Sequence, residues 1–111
     1  MKLFGLNATK DFSEGLAERL GVWLGLHEQR DFEDCEFKVR PLERVRGEQV
    51  FICQSLASSD GQSANDKLFR LLFLCGAAKD AGAEHVTVLV PYLAYARKDR
   101  RTKPRDPITT R

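Results

Sequence analysis

The order of apolar and polar positions along this chain predicts short strands separated by helices. Residues 49–53 form a mostly apolar run typical of a buried strand, and residues 36–40 alternate in the manner of a half-exposed strand. Residues 22–26 form a short apolar segment, and we expect the Trp23 side chain within it to lie in the core. The predicted strands are residues 2–6, 22–26, 36–40, 49–53 and 85–90.

The first predicted helix follows the first strand. Asp11 or Ser13 can cap its start, Leu16 and Leu20 fall at helical spacing, and Gly21 supplies the stop.

The second predicted helix begins at a cap provided by Asn65 or Asp66, runs through Ala81 and is closed by Gly82. It is apolar nearly all round, whereas a surface helix shows one apolar stripe. We therefore expect burial on two sides, by the sheet and by another chain or domain; the alternative is a helix wholly inside its own domain. The apolar residues are Leu68, Phe69, Leu71, Leu72, Phe73, Leu74 and Cys75.

Strands that alternate with helices at these lengths predict an α/β fold with a largely parallel sheet. The 111 residues suffice for one domain, and 42% hydrophobic with 31% charged residues is an ordinary globular composition. The small polar residues at 54–64 predict a loop at the end of a strand, and residues 31–36 predict an acidic loop.

The cysteines and histidines give no support for a metal site. Cys35, Cys53 and Cys75 form no Cys-x-x-Cys unit, and Cys53 and Cys75 lie in apolar runs that predict buried thiols. His27 and His85 have no carboxylate or cysteine at ligand spacing. Reduced thiols agree with a cytoplasmic location, and so does a start without a signal-peptide pattern. The longest apolar run, within residues 68–78, is too short to span a membrane.

The charge distribution is asymmetric. Residues 97–111 contain seven cations and two acids, a net charge of +5, whereas residues 1–96 have a net charge of −3. This basic end predicts an anionic partner. Nucleic-acid binding is the less favoured interpretation, because no nucleic-acid-binding motif accompanies the charge.

The segment 91–101, PYLAYARKDRR, follows the strand candidate 85–90 and runs through two tyrosines into cations. Ligands of open α/β sheets bind beyond the carboxyl ends of the strands, and Arg and Lys are suited to phosphate. The sequence therefore predicts one edge of a phosphate site, with a solvated loop that binds nothing as the alternative. Asp106 and Pro107 can open a further helix just before the sequence stops, so we expect the chain to be truncated.

Several segments in order carry a family resemblance. They are FEDCE at 32–36, VRG at 45–47, VFICQS at 50–55, NDKL at 65–68, PYLAYARKDR at 91–100 and PRDPI at 104–108. Together they resemble the N-terminal domain of ribose-phosphate pyrophosphokinase. The resemblance implies a phosphoribosyltransferase-like, Rossmann-like, mostly parallel sheet flanked by helices. Residues 1–111 would then be an incomplete N-terminal domain, with the second domain absent from this chain.

The resemblance also implies an activity: transfer of the diphosphoryl group of ATP to the C1 hydroxyl of ribose 5-phosphate, giving phosphoribosyl pyrophosphate and AMP. Mg²⁺ would be required, and the enzyme would be a homo-oligomer built from dimers with ATP between subunits. The ribose 5-phosphate site, the metal-binding His and the catalytic Lys would lie mostly beyond this chain. We therefore expect the chain alone to be inactive, with neither membrane nor nucleic acid as a partner.

The implied ATP site has two parts. In the first, Phe32 would stack near adenine, and Asp34 with Glu36 would hydrogen-bond adenine or the ATP loop. We expect this stretch to be extended, so that alternate side chains point the same way, the carboxylates at 34 and 36 act together and Phe32 falls in the same phase.

The second part of the implied site is the segment after the last strand. Arg97 would contact the ATP phosphates and stabilise charge during transfer, which is the usual task of arginine in phosphoryl transfer. Lys98 stands where the family has Gln and would add an ATP contact. Asp99 and Arg100 would order the catalytic loop.

Three residues depart from the family loop Arg-Phe-Ser-Asp-Gly-Glu: Asp31 replaces Arg, Glu33 replaces Ser and Cys35 replaces Gly. Loss of glycine removes backbone freedom at a tight turn. Added acids near a nucleotide should weaken its binding unless cations compensate. These departures leave open a non-catalytic relative that regulates the active enzyme. A phosphoribosyltransferase has no support, because its acidic ribose-pyrophosphate loop is not found here.

Overall fold

The computed structural model describes residues 1–59, 61–92 and 104–105. The helices and strands are β1 (Lys2–Gly5), α1 (Lys10–Leu20), β2 (His27–Asp31), β3 (Phe37–Pro41), β4 (Gln49–Cys53), α2 (Ala64–Asp80) and β5 (His85–Leu89). A 3-10 turn, Asn7–Thr9, leads into α1.

The strands form one parallel sheet and one antiparallel hairpin. The sheet has the order β1-β4-β5, with Leu3 paired to Phe51 and Phe51 paired to Thr87. The hairpin joins β2 to β3, with Asp31 opposite Phe37 next to the connecting loop. The predicted α/β class with a mostly parallel sheet is confirmed, and β4 has the predicted bounds.

The two helices cover opposite faces of the sheet because side chains alternate along each strand. Phe4 and Ile52 belong to a core cluster that includes Leu74 of α2. Their neighbours Leu3 and Cys53 pack in a second cluster with Ala17 of α1. Strands β1 and β4 are therefore buried on both sides, which explains their continuous apolar character.

Helix α1 begins earlier than predicted, because the 3-10 turn places Thr9 at its N-cap in place of Asp11 or Ser13. Ser13 is instead buried, and its hydroxyl donates to the Thr9 carbonyl oxygen at 2.7 Å. Gly21 ends the helix as predicted, in the left-handed conformation at φ 68°.

Helix α2 is capped by Ser63, not by Asn65 or Asp66. The Ser63 hydroxyl accepts from the Asp66 N–H at 3.1 Å, and the Asp66 carboxylate accepts from the Ser63 N–H at 2.9 Å. This reciprocal capping box satisfies two backbone donors. The helix ends at Asp80, with Ala81 at the C-cap, within one residue of the prediction.

In this single chain, α2 is buried on one side only, so the alternative of a helix wholly inside its own domain is wrong, and the expected cover by another chain or domain stays a prediction. Leu71 and Leu74 lie in the core, while Phe69, Leu72 and Phe73 are about half exposed. These three residues, spaced i, i+3 and i+4, form what we call the outer face of α2. Large apolar side chains in such a contiguous row are typical of a surface that another protein surface covers.

Two expectations between residues 22 and 31 were wrong. Residues 22–26 form no strand, only a single bridge between Leu24 and Leu3, and Trp23 is 95% exposed instead of being in the core. Strand β2, His27–Asp31, was missed because its five polar residues give no apolar alternation. Its ladder with β3 forms through the backbone, independently of side-chain polarity.

The thiols follow the expected burial in part. Cys53 is fully buried and Cys75 half-buried, and in both cases burial raises the thiol pKa, which keeps the group protonated at neutral pH. Cys35 is exposed. In the part of the chain that the structure describes, no helix has the length and apolar content needed to cross a bilayer.

Candidate functional site

Residues 32–36, the proposed adenine-contacting stretch, form the loop of the β2–β3 hairpin. We call this segment the hairpin loop. Its ends are joined by a hydrogen bond from the Phe32 N–H to the Glu36 carbonyl oxygen at 2.8 Å. Cys35 lies in the left-handed region at φ 67°, a conformation that favours glycine.

The extended geometry expected for this stretch is therefore wrong. The chain reverses direction between Phe32 and Glu36, so the spacing of Asp34 and Glu36 does not place their carboxylates by strand alternation. The loop itself brings these residues together: the Asp34 carboxylate accepts a long hydrogen bond from the Glu36 N–H at 3.4 Å. Both side chains remain exposed, so their free oxygens are available to donors such as the exocyclic amine of a base.

Phe32 keeps one part of its ring accessible. The Arg30 guanidinium carbon lies 5.6 Å from the ring centroid, and Phe32 is 43% exposed. An aromatic ring supported by a cation and open to solvent can stack on a planar ligand.

A cavity of about 350 Å³ lies between the hairpin loop and the start of α2. Its lining combines acids, one cation, an aromatic ring and a thiol. The lining residues are Asp31, Phe32, Cys35, Glu36, Gly61, Gln62, Asp66 and Arg70. Of the predicted site residues, Phe32 and Glu36 meet here. The Gln62 Oε1 atom is buried without a hydrogen-bond partner among the described residues.

Arg70 is the residue of this site that the sequence reasoning missed. It is only 8% exposed, and its guanidinium donates to the Asp31 carboxylate at 2.9 Å and to the Asp66 carbonyl oxygen at 3.1 Å. Its guanidinium carbon also lies 4.3 Å from the centroid of the Phe37 ring. A cation inside the apolar run 68–75 was the available signal, because arginine is seldom buried without a partner.

The start of α2 gives the cavity a fixed negative charge. The hydrogen bonds that the Asp66 carboxylate receives from the backbone and side chain of Ser63 hold its pKa below the ordinary range. Asp66 is therefore ionised at neutral pH. Its negative charge in the first turn of α2 interacts favourably with the positive end of the helix dipole.

The carboxyl edge of the parallel sheet is the other half of the predicted site. The Leu56 N–H donates to the Tyr92 carbonyl oxygen at 3.0 Å, so the chain leaves the sheet beside the loop after β4. Tyr92 is exposed. The predicted phosphate-contacting residues that follow, Arg97, Lys98, Asp99 and Arg100, lie outside the described residues.

Buried polar groups hold the loop after β4. The Thr9 hydroxyl donates to Gln54 Oε1 at 2.7 Å and accepts from the Ser55 N–H at 2.9 Å. The Gln54 amide donates to the Lys67 carbonyl oxygen at 3.2 Å, and the buried Lys67 ammonium donates to the Ala57 carbonyl oxygen. These bonds tie the carboxyl edge to both helices. Among the described residues, no group of three or more His, Cys, Asp or Glu side chains is placed to hold a metal.

The fold is an α/β domain whose carboxyl edge and hairpin carry the candidate site, and comparison with known proteins identifies the family. The family model for the N-terminal domain of ribose phosphate pyrophosphokinase matches residues 1–111. The chain belongs to this family.

Individual relatives agree. The chain is 41% identical over 111 residues to ribose-phosphate pyrophosphokinase 1 of Streptococcus pneumoniae serotype 4, covering 100% of this chain and 33% of that protein. It is 40% identical over the same length to the Streptococcus pyogenes serotype M1 protein of the same name. The chain thus spans about a third of the length of these curated relatives.

A solved structure has the same fold. The crystal structure of phosphoribosylpyrophosphate synthetase from Mycobacterium smegmatis superimposes with a TM-score of 0.87 at 31% sequence identity. The match covers 97% of this chain and 35% of that one.

Proposed function

We propose that this chain is the ATP-binding N-terminal part of an enzyme that transfers the diphosphoryl group of ATP to the C1 hydroxyl of ribose 5-phosphate. The products are phosphoribosyl pyrophosphate and AMP, which serve nucleotide biosynthesis, and the location is cytoplasmic. The observation that carries the proposal is the family match over all 111 residues.

In the proposal, the hairpin loop recognises the base of ATP. Phe32 offers a partly open ring for stacking, and the exposed carboxylates of Asp34 and Glu36 can accept hydrogen bonds from the adenine amine. The close pairing of the loop ends supports this role, because a closed loop loses less conformational entropy when a ligand binds.

The segment after Tyr92 is proposed to hold the phosphates. Arg97 neutralises charge on the transferred group, Lys98 adds a phosphate contact, and Asp99 with Arg100 orders the segment. The hydrogen bond between Leu56 and Tyr92 supports this placement, because it delivers the chain to the carboxyl edge of the sheet, where α/β folds bind ligands.

Mg²⁺ is proposed to arrive with the phosphates of ATP, as it does in many phosphoryl-transfer sites, and to neutralise their charge. Among the described residues no group of three or more His, Cys, Asp or Glu side chains is placed to hold the ion, and the metal-binding His that the resemblance implies would lie beyond this chain. Ribose 5-phosphate is proposed to bind mostly outside this chain.

We also propose a homo-oligomer built from dimers, in which a second copy covers the outer face of α2. The Phe37 and Phe73 ring centroids are 4.9 Å apart, and those of Phe69 and Phe73 are 6.5 Å apart. The apolar surface is thus continuous from α2 onto the hairpin. Burying such aromatic area is the main source of stability in permanent interfaces.

The function is tested in the full-length parent by mixing ATP, Mg²⁺ and ribose 5-phosphate and measuring AMP and phosphoribosyl pyrophosphate in equal amounts. The chain of 111 residues alone is expected to form neither product. In the parent, Arg97→Ala is expected to lower kcat/KM for ATP at least about a hundredfold, as loss of a charge-stabilising group does. Arg44→Ala, a change at an exposed arginine of the loop before β4, is the matched control and should leave kcat/KM unchanged.

Two outcomes contradict the proposal. Unchanged turnover and unchanged saturation by ATP in the Arg97 variant would remove the phosphate role of the segment. A folded parent that forms no AMP, yet alters the activity of an authentic ribose-phosphate pyrophosphokinase on mixing, would establish the regulatory relative instead. The strained loop position at Cys35 is the observation that favours this second candidate.

A further inference from the structure

A single buried guanidinium holds both residues that close the hairpin loop. Asp31 and Phe37 are opposite each other in the β2–β3 ladder, and the loop begins directly after them. Arg70 of α2 donates to the Asp31 carboxylate at 2.9 Å and lies 4.3 Å from the Phe37 ring centroid. One side chain of the helix therefore contacts both strands at the base of the loop.

The arrangement depends on the charge of Asp31. The side chain of Arg70 is 10% exposed, whereas that of Asp31 is 71% exposed. A buried cation is costly without an anionic partner, whereas an exposed carboxylate is stable alone. Among the described residues, Asp31 supplies the carboxylate within ion-pair distance of Arg70. The pair thus draws the end of β2 onto the helix.

We propose that the Asp31–Arg70 pair is a positioning device that sets the hairpin loop for the nucleotide, an inference that rests on the proposed function. Asp31 stands where the family loop has arginine, and its carboxylate forms an ion pair with Arg70. This pairing offsets the repulsion that an unpaired carboxylate at this position would exert on the phosphates of ATP. The pair fixes the backbone position from which Phe32, the next residue along the chain, extends.

The other acidic residue of the same strand provides a matched comparison. Glu28 also lies on β2, and its carboxylate pairs with Lys38 at 3.7 Å and with Arg40 at 3.5 Å, both on β3. These contacts stay within the hairpin and do not reach α2. Glu28→Gln therefore removes both hairpin ion pairs without loosening the loop from the helix.

The experiment compares Asp31→Asn, Glu28→Gln and the charge reversal Asp31→Arg with Arg70→Glu in the full-length parent. Asp31→Asn is expected to raise KM for ATP about fivefold, with KM for ribose 5-phosphate unchanged. Glu28→Gln should change neither constant. The reversal should bring KM for ATP closer to the wild-type value than Asp31→Arg alone does. A loss confined to KM for ATP, with KM for ribose 5-phosphate unchanged, is the result that a merely structural role of either residue would not produce.

Hydrogen exchange at the Phe32 amide gives a readout that does not depend on turnover. This amide donates to Glu36 across the loop, so loosening should speed its exchange at least about threefold in Asp31→Asn and not in Glu28→Gln. An unchanged KM for ATP in an active Asp31→Asn enzyme overturns the inference. If the wild-type parent makes no AMP, the proposed function has failed, and the exchange rate of the Phe32 amide alone tests the inference. An unchanged exchange rate in Asp31→Asn then overturns it.

Discussion

Gly5 of β1 and Ser13 of α1 lie in direct contact: a Cβ atom added to Gly5 would be 2.1 Å from the Ser13 hydroxyl oxygen and 2.2 Å from its Cβ. Ser13 is fully buried and bonded to the Thr9 carbonyl, so it cannot move aside without cost. This contact sets how closely the first helix packs on the sheet.

We expect Gly5→Ala to lower the free energy of unfolding by about 2–3 kcal/mol, as overpacking does. Gly15→Ala is the control, because nothing lies within 4 Å of its added Cβ and it occupies the interior of α1. Higher helix propensity should make that variant more stable by about 0.5–1 kcal/mol. Urea unfolding measures the free energy of unfolding of both variants. A Gly5→Ala protein as stable as the Gly15→Ala protein would contradict the close contact between Gly5 and Ser13.

Thr9→Val removes the hydroxyl that joins Gln54 to Ser55 while keeping the shape of the side chain. It leaves a buried amide oxygen and a backbone N–H without their partner, and should cost about 1–3 kcal/mol. Thr87→Val, on the exposed side of β5, should change the free energy of unfolding by less than about 0.5 kcal/mol. A Thr9 variant as stable as the Thr87 variant would show that the hydroxyl contributes nothing.

Cys35→Gly should stabilise the chain by about 0.5–1 kcal/mol, because φ 67° is strained for a side chain and free for glycine. Gly47→Ala tests the same effect in reverse: its φ is 72° with nothing within 4 Å, so the loss of about 1 kcal/mol is purely conformational. Thermal or urea unfolding reports both. A destabilised Cys35→Gly protein is the contrary result.

The carboxylate of Glu43 contributes free energy of unfolding that is lost at acid pH. The hydrogen bond from the Leu26 N–H holds the pKa of its carboxyl below the ordinary value, and the ion pair with Lys2 at 3.1 Å lowers the pKa further. A depressed folded-state pKa means that this contribution is complete above the unfolded value of about 4.3 and is lost as pH falls through the folded value. The unfolding free energy of Glu43→Gln should therefore fall less steeply than that of wild type between about pH 5 and pH 3. Parallel curves would exclude Glu43 as the source.

Leu72→Glu places a charge on the outer face of α2 without disturbing the Phe37–Phe73 ring contact. In the full-length parent we expect sedimentation to show a smaller assembly than wild type, because a buried unpaired carboxylate is incompatible with an apolar interface. Leu42→Glu, at an exposed leucine just after β3, is the control and should leave the assembly intact. A wild-type parent that sediments as a clean monomer removes the interface altogether.

Much of the α/β framework could be predicted from the sequence, because its signals are local and strong. The run at 49–53 is apolar on both faces, as a strand between two helices must be, and Gly21 marks the end of α1. Strand β2 could not be predicted, since polar residues that pair through the backbone leave no periodicity.

The sequence indicated the hairpin loop as a candidate site, but the extended backbone predicted for it was wrong. The resemblance located Phe32, Asp34 and Glu36, and the family glycine that Cys35 replaces was the signal for the left-handed conformation observed there. The role of Arg70 depends on a contact across 39 positions of the sequence, which only the folded chain brings together. The roles proposed for Arg97, Lys98, Asp99 and Arg100 stay predictions.

Trp23, the single tryptophan of the sequence, projects 95% into solvent from the segment between α1 and β2. Its fluorescence will consequently be red-shifted and open to acrylamide quenching in the native state. Emission will respond little when the core melts and strongly when a surface is laid over this segment. The chain therefore carries a built-in optical reporter of contacts at this segment and needs circular dichroism, not fluorescence, to follow unfolding.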